Sequence, residues 1–261
     1  MTEAPYLLRE DDEGVVTLTL NRPQSRNSLS LGMLQALRAA LAEIAADESA
    51  RVVILAGAGP AFCAGHDLKE LRASAYDAAY VEPLFAECAE VMQAIVNLPK
   101  PVIARVHGVA TAAGAQLVAS ADIAFATEDA RFATPGVNIG LFCSTPMVAL
   151  SRNVAPKQAM EMLLSGDLID AETALRFGLI NEIAPAAELD QRTLAFARKL
   201  ASKSPLTLAL GKQAFYRQAE LPLAQAYQFA GKVMAKNLQA EDAQEGIDAF
   251  LSKRQPVWRG R

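Results

Sequence analysis

The segment His107-Gly-Val-Ala-Thr-Ala-Ala-Gly-Ala-Gln-Leu117 constrains this chain more than any other. It follows an apolar run, Val102 to Val106, that reads as a strand, and it runs on through Val-Ala-Ser-Ala-Asp as one element of mostly small residues. Such a helix presents almost no side-chain bulk, so its backbone can lie close to a strand or a ligand. A second segment has a related design. Val52 to Ala56 reads as a buried strand that halts at Gly-Ala-Gly-Pro and delivers the loop Gly57 to Leu71. There Ala64-Gly65 lets the backbone approach a ligand unobstructed, and Asp67 can cap a short helix. The amides around His66 are then expected at a helix N-terminus, unpaired and suited to an anionic oxygen.

Elsewhere the pattern is strand, strand, helix with irregular spacing. Val15 to Leu20 alternates as a strand and ends at Asn-Arg-Pro. Ser28 or Ser30 can cap a helix lined by Leu34, Leu37, Leu41 and Ile44. A helix is expected from about Asp77 to Val96, and strands at Ile123 to Ala126, Arg131 to Ala133 and Leu179 to Ile183. This order predicts a layered α/β core over residues 1–200. Residues 201–261 read as helices, with Leu223, Tyr227, Ala230, Met234 and Asn237 at helical spacing, then Ala243, Ile247 and Phe250. These helices either pack on another subunit or fold back on their own core.

Composition removes several classes of function. A net charge of −4 offers no global basic field for nucleic acid or an anionic membrane. No apolar run approaches a bilayer-spanning length. The cysteines Cys63, Cys88 and Cys143 lack metal-ligand spacing, and with the acidic N-terminal stretch they suggest a reducing, cytoplasmic setting. No Cys/His cluster implies a metal, and Gly-Ala-Gly-Pro-Ala-Phe-Cys-Ala-Gly is no dinucleotide fingerprint.

Taken together, NRPQSRNSLS, AFCAGHDLKEL, PKPVIARVHGVATAAGAQLVASADIAFA, FATPGVNIGL and EDAQEGIDAFLSKRQPVWRGR resemble, in order and almost end to end, the crotonase (enoyl-CoA hydratase/isomerase) family. The resemblance implies a superhelix of repeated ββα units with a C-terminal helical region for trimer or dimer-of-trimers assembly. It implies an acyl-CoA ligand, as in fatty acid metabolism, and no cofactor beyond the CoA moiety. It places two oxyanion-binding N–H groups at His66 and Ala113. CoA contacts would fall at Ser25, Arg26, Ala64, His66, Asp67, Leu68 and Lys69, with Phe250 and Lys253 covering the adenine.

The family's hydratases use two glutamates, and the matching positions here are Gln116 and Gly136. A carboxamide exchanges no proton at neutral pH and glycine has nothing to exchange, so fast hydration is not expected. The AGHD and TP…VN segments also resemble methylmalonyl-CoA decarboxylases, which lack the same pair. An acyl-CoA decarboxylase and a non-catalytic acyl-CoA binder therefore stand as alternatives, as does a substitute base among Glu82, Glu87 and Glu90. The His66 ring invites a general-base reading, but an N–H donor needs only its backbone. Cys63 and Cys143 read as small apolar fillers.

Overall fold

The computed structural model describes residues 4–261. Strands β1 (Leu7–Asp12) and β2 (Val15–Leu20) form an antiparallel hairpin. Its two-residue turn, Glu13-Gly14, has φ of 48° and 84°, the positive pair a tight hairpin requires. A 3-10 turn (Pro23–Ser25) leads to α1 (Leu31–Ala46), whose N-terminus is capped by the Ser30 hydroxyl accepting from Met33 N–H. Then follow β3 (Val52–Gly57), α2 (Leu68–Ala73) and α3 (Ala78–Asn97). Strands β4 (Val102–Val106) and β5 (Val109–Thr111) precede α4 (Ala113–Ser120). After them come β6 (Ile123–Thr127), β7 (Arg131–Ala133), a 3-10 turn (Pro135–Ile139), α5 (Ser144–Asn153) and α6 (Pro156–Ser165). The short β8 (Ile169–Asp170), α7 (Ala171–Phe177) and β9 (Glu182–Ala184) lead to α8 (Leu189–Ala201). The chain ends in α9 (Pro205–Ala219), α10 (Leu223–Leu238) and α11 (Glu241–Leu251).

The main sheet has six strands in the order β1-β2-β3-β4-β6-β9, and all its pairings after the β1/β2 hairpin are parallel. Both faces are covered, which is why its central strands read as continuous apolar runs. Val53 and Leu55 belong to the large core with Leu34, Leu37 and Leu41 of α1 and Val91 and Ile95 of α3. Val52 and Ile54 point the other way, toward Ala197 of α8. A small second sheet, β5-β7-β8, stands beside the first.

Three elements depart from the sequence expectation. The small-residue element is divided: Val109–Thr111 is strand, and helix begins only at Ala113. The change of direction falls on Ala112, at φ 50° and ψ −118°. The strand expected at Leu179 to Ile183 is β9 instead, because Leu179 and Ile180 turn into the core and the Asn181 side chain accepts from Ala124 N–H at 2.8 Å. Strand β1, in the acidic stretch, has no alternating pattern of its own, since it is an edge strand exposed along most of its length.

Helix α9 is locked to the core by a polar cluster. Lys212 Nζ lies 2.7 Å from Asp122 and also donates to the carbonyls of Ile95 and Lys100, while Tyr216 Oη donates to Asp122 at 2.9 Å. The apolar stripe of α10 faces outward: Leu223, Tyr227 and Met234 are exposed, and Ala226 is the residue of that helix that is buried. It does not fold back on its own core. No helix among the described residues is long and apolar enough to cross a membrane.

Candidate active site

The loop leaving β3 is held by a residue whose part could not be read from the motif. Asn27, fully buried, donates through Nδ2 to the carbonyls of Ala58 and Ala61 at 2.8 Å and Phe62 at 3.2 Å, and accepts from Arg22 N–H at 2.9 Å. It clamps the 22–28 loop onto the loop leaving β3. The two loops also share backbone bonds, Ala64 N–H to Arg26 C=O at 3.0 Å and Leu29 N–H to Gly65 C=O at 2.8 Å. Asn27 also holds a φ of 53°, a left-handed conformation that asparagine tolerates better than most residues.

His66 lies just before the N-cap of α2, not within the helix. Its amide is free for a different reason than a helix N-terminus. Leu29 bridges His66 in the parallel sense, receiving Asp67 N–H and donating to Gly65 C=O. In that pattern the residue between has its own N–H on the opposite edge. On that edge runs β5, which pairs with Cys63 through Cys63 N–H to Val109 C=O at 3.1 Å and Thr111 N–H to Cys63 C=O at 3.0 Å. The His66 N–H therefore points to where β5 gives way to α4. Ala113 is the first residue of α4, so its N–H has no acceptor within the helix. Among the described residues neither amide has a protein acceptor.

Two glycines allow this approach. A Cβ on Gly65, at φ 94°, would stand 2.8 Å from Ala112 Cβ and 3.3 Å from Ala113 N. A Cβ on Gly114 would stand 2.1 Å from the Cys63 carbonyl oxygen. The loop and the helix start are thus in backbone contact.

Gln116, 4% exposed, lies on the buried face of α4 with Oε1 4.0 Å from Cys88 Sγ of α3. Gly136 is buried in the 3-10 turn, and Leu141 N–H closes that turn onto its carbonyl at 2.9 Å. Glu82 and Glu90 are exposed on α3, and Glu87 is paired with Arg38 of α1. The His66 ring packs edge-on against Phe85 at 4.9 Å with both nitrogens shielded and unbonded, and burial lowers its pKa. Burial pushes the Cys63 and Cys88 thiols up to about 12 and raises Cys143 as well, so none is a ready nucleophile. Among the described residues no cluster of His, Cys, Asp or Glu is placed to hold a metal ion.

Of the expected CoA contacts, Ser25, Arg26, Ala64, Asp67, Leu68 and Lys69 fall on these joined loops and the first turn of α2, with Arg26, Leu68 and Lys69 exposed. Phe250 and Lys253 are not brought there. Phe250, 82% exposed, borders a groove formed with Lys203, Thr207, Ile247 and Trp258, and Lys253 follows α11.

Asp67 is a structural anchor: it caps α2 through Lys69 N–H at 3.0 Å and receives Arg22 and Ser28 Oγ at 3.1 Å. Burial opposes its ionisation, but these donors outweigh burial and hold the carboxyl below its usual range. Its stabilising contribution is complete above the unfolded-state pKa of about 4 and disappears as pH falls through the lower folded value. Asp67→Asn is expected to cost about 2 kcal/mol at pH 7. The gap to wild type should close below about pH 4 when melting temperature is followed against pH. A gap that stays constant to pH 2 contradicts this account.

These features define a layered α/β scaffold built on a mostly parallel sheet, and similarity to known proteins names the family. The profile described as enoyl-CoA hydratase/isomerase matches residues 10–261, and the chain belongs to that family. It is 49% identical over 246 residues to the Rattus norvegicus enoyl-CoA hydratase domain-containing protein 3, covering 94% of this chain and 82% of the relative. A solved enoyl-CoA hydratase from Mycobacterium smegmatis superposes at a TM-score of 0.95 with 54% identity, covering 98% of this chain and 99% of that one. The human enoyl-CoA hydratase domain-containing protein 3 superposes at 0.94 with 47% identity, covering 97% and 100%. The expected crotonase-type α/β fold is thereby established.

The cytoplasmic expectation is overturned, since the rat and human relatives are named mitochondrial. Unpaired thiols mark only a reducing environment, which is not unique to the cytoplasm.

Proposed function

We propose that this protein binds an acyl-CoA thioester and stabilises its enolate through the backbone N–H groups of His66 and Ala113, without the proton-transfer pair of a fast hydratase. The reading is carried by two unpartnered amides that face one space and are held there by backbone contact between Gly65, Cys63 and the start of α4. Each such donor lowers a barrier by about 3 kcal/mol when charge develops on the bound oxygen. The CoA moiety lies along Ser25, Arg26, Ala64 and Asp67 to Lys69. Phe250, near the end of α11, and Lys253 just beyond it reach a nucleotide across a subunit contact. The outward stripe of α10 supports a homotrimer or a dimer of trimers.

Hydration needs one group to activate water and another to protonate the α-carbon, and Gln116 and Gly136 supply neither. Crotonyl-CoA hydration by purified protein, followed by loss of the conjugated thioester absorbance, is expected at least about 10⁴-fold below a two-glutamate family member. Turnover of about ten per second or more, a typical enzyme rate, would sink the reading.

A second reading is favoured by the α3 carboxylates, since Glu82 and Glu90 are exposed and Glu87 is paired with Arg38, which leaves none of the three poised as a base. In decarboxylation of a malonyl-type thioester, the Cα–carboxylate bond breaks, CO₂ leaves, and the electron pair passes to the thioester oxygen as an enolate. Solvent then protonates the α-carbon, and the donors alone stabilise the intermediate. A protein that binds every thioester and converts none is a non-catalytic binder.

A further inference from the structure

Two polar side chains beside the donors have no part in the chemistry above. Both ring nitrogens of His66 are shielded from solvent without a hydrogen bond, and the ring stands edge-on to Phe85. The Gln116 carboxamide is almost wholly buried with its Oε1 toward Cys88. Phe85 and Cys88 are three residues apart on α3, so they share a face and lie about 4.5 Å apart along the axis. One wall of α3 therefore backs both polar groups.

Cys88 is fully buried, and burial keeps it a thiol, an S–H that can donate to oxygen. A carboxamide has its acceptor on one prong and its donors on the other. With Oε1 engaged at α3, the NH₂ of Gln116 is directed elsewhere, and among the described residues no protein acceptor takes it. The carboxylates of α3 do not compete, since Glu82 and Glu90 are exposed and Glu87 is paired with Arg38.

We propose that Cys88 is a positioning residue that turns the Gln116 carboxamide so that its NH₂ group receives an oxygen on the acyl chain. The site then prefers an acyl-CoA bearing a carboxylate to one with a hydrocarbon chain of the same shape. This rests on the acyl-CoA reading above and narrows its substrate class. A buried donor left unpaired by a hydrocarbon chain is the physical source of the preference.

The test compares dissociation constants for malonyl-CoA and isovaleryl-CoA, in which an isopropyl group replaces the carboxylate. Calorimetry on the full chain gives them, with CO₂ release followed in parallel. Wild type is expected to favour malonyl-CoA by about tenfold. Cys88→Ala should reduce that ratio by about fivefold while isovaleryl-CoA binding holds, and Cys88→Ser, which keeps a donor, should restore most of it. Adding Gln116→Ala to Cys88→Ala should remove little more, since both act on one contact. Equal losses for both ligands in Cys88→Ala, unrelieved in Cys88→Ser, mark a merely structural residue and overturn the proposal. A wild-type ratio near one with both ligands bound overturns it too and leaves the acyl-CoA reading standing. Binding of neither ligand overturns both.

Discussion

Glutamate introduced at positions 116 and 136 together is expected not to create a hydratase, because position 136 is no longer open. A Cβ there would stand 2.6 Å from the Leu141 carbonyl oxygen, 3.3 Å from its carbon and 3.0 Å from Cys143 Sγ. The obstacle is backbone, and it is pinned: Leu141 N–H donates to Gly136 C=O at 2.9 Å. Accommodating a side chain means moving the 136–141 turn, and overpacking of this kind costs about 1–3 kcal/mol. Gly136→Glu should thus lower the melting temperature by about 5 °C. A carboxylate that did enter would be displaced, and about 1 Å of misplacement can cost 10²-fold in rate. Gln116→Glu alone should fold, but burial opposes its ionisation. The double variant should therefore hydrate crotonyl-CoA at below about 1% of the rate of a two-glutamate relative. Full hydratase turnover in it would show that the turn yields easily and that only the two side chains were missing.

Gly114→Ala is expected to be the most damaging single methyl in the chain. An exposed helical Gly→Ala change normally stabilises by about 1 kcal/mol. At Gly114 the added Cβ would lie 2.1 Å from the Cys63 carbonyl oxygen and 2.8 Å from its carbon, in the contact that brings α4 to the loop. We expect a net loss of about 2 kcal/mol or more, together with loss of the thermal stabilisation by CoA thioesters that a bound ligand confers. Any thioester turnover should fall about 10²-fold or more as the Ala113 amide moves from its place. Gly211→Ala and Gly231→Ala provide the control, for a Cβ at either site meets nothing within 4 Å. Those variants should be neutral or slightly more stable. If all three behave alike in scanning calorimetry, close packing at Gly114 does not organise the site.

These expectations draw on different levels of organisation. The sequence was sufficient for the helices and most of the strands, because burial imposes a period that reads directly. Leu34, Leu37, Leu41 and Ile44 are buried along α1, and Val102–Val106 is β4 as expected. It was sufficient also for the family, because the loop around His66 and the small-residue segment each need particular backbone freedom and recur in order. Gln116 and Gly136 are legible directly, and with them the expectation of slow hydration.

What the sequence left open concerns groups brought together from far apart in the chain. The free His66 amide comes from a bridge to Leu29, not from a helix end, and a backbone bond leaves no mark in side-chain pattern. Asn27 carries no pattern signal of its own, yet its amide holds the carbonyls of Ala58, Ala61 and Phe62. Nothing in the spacing of Cys88 and Gln116, or of Gly136 and Leu141, announces their contact. Local periodicity reports which face of an element is buried. Which groups meet across that face depends on packing distances of a few ångströms, and these only the tertiary structure decides.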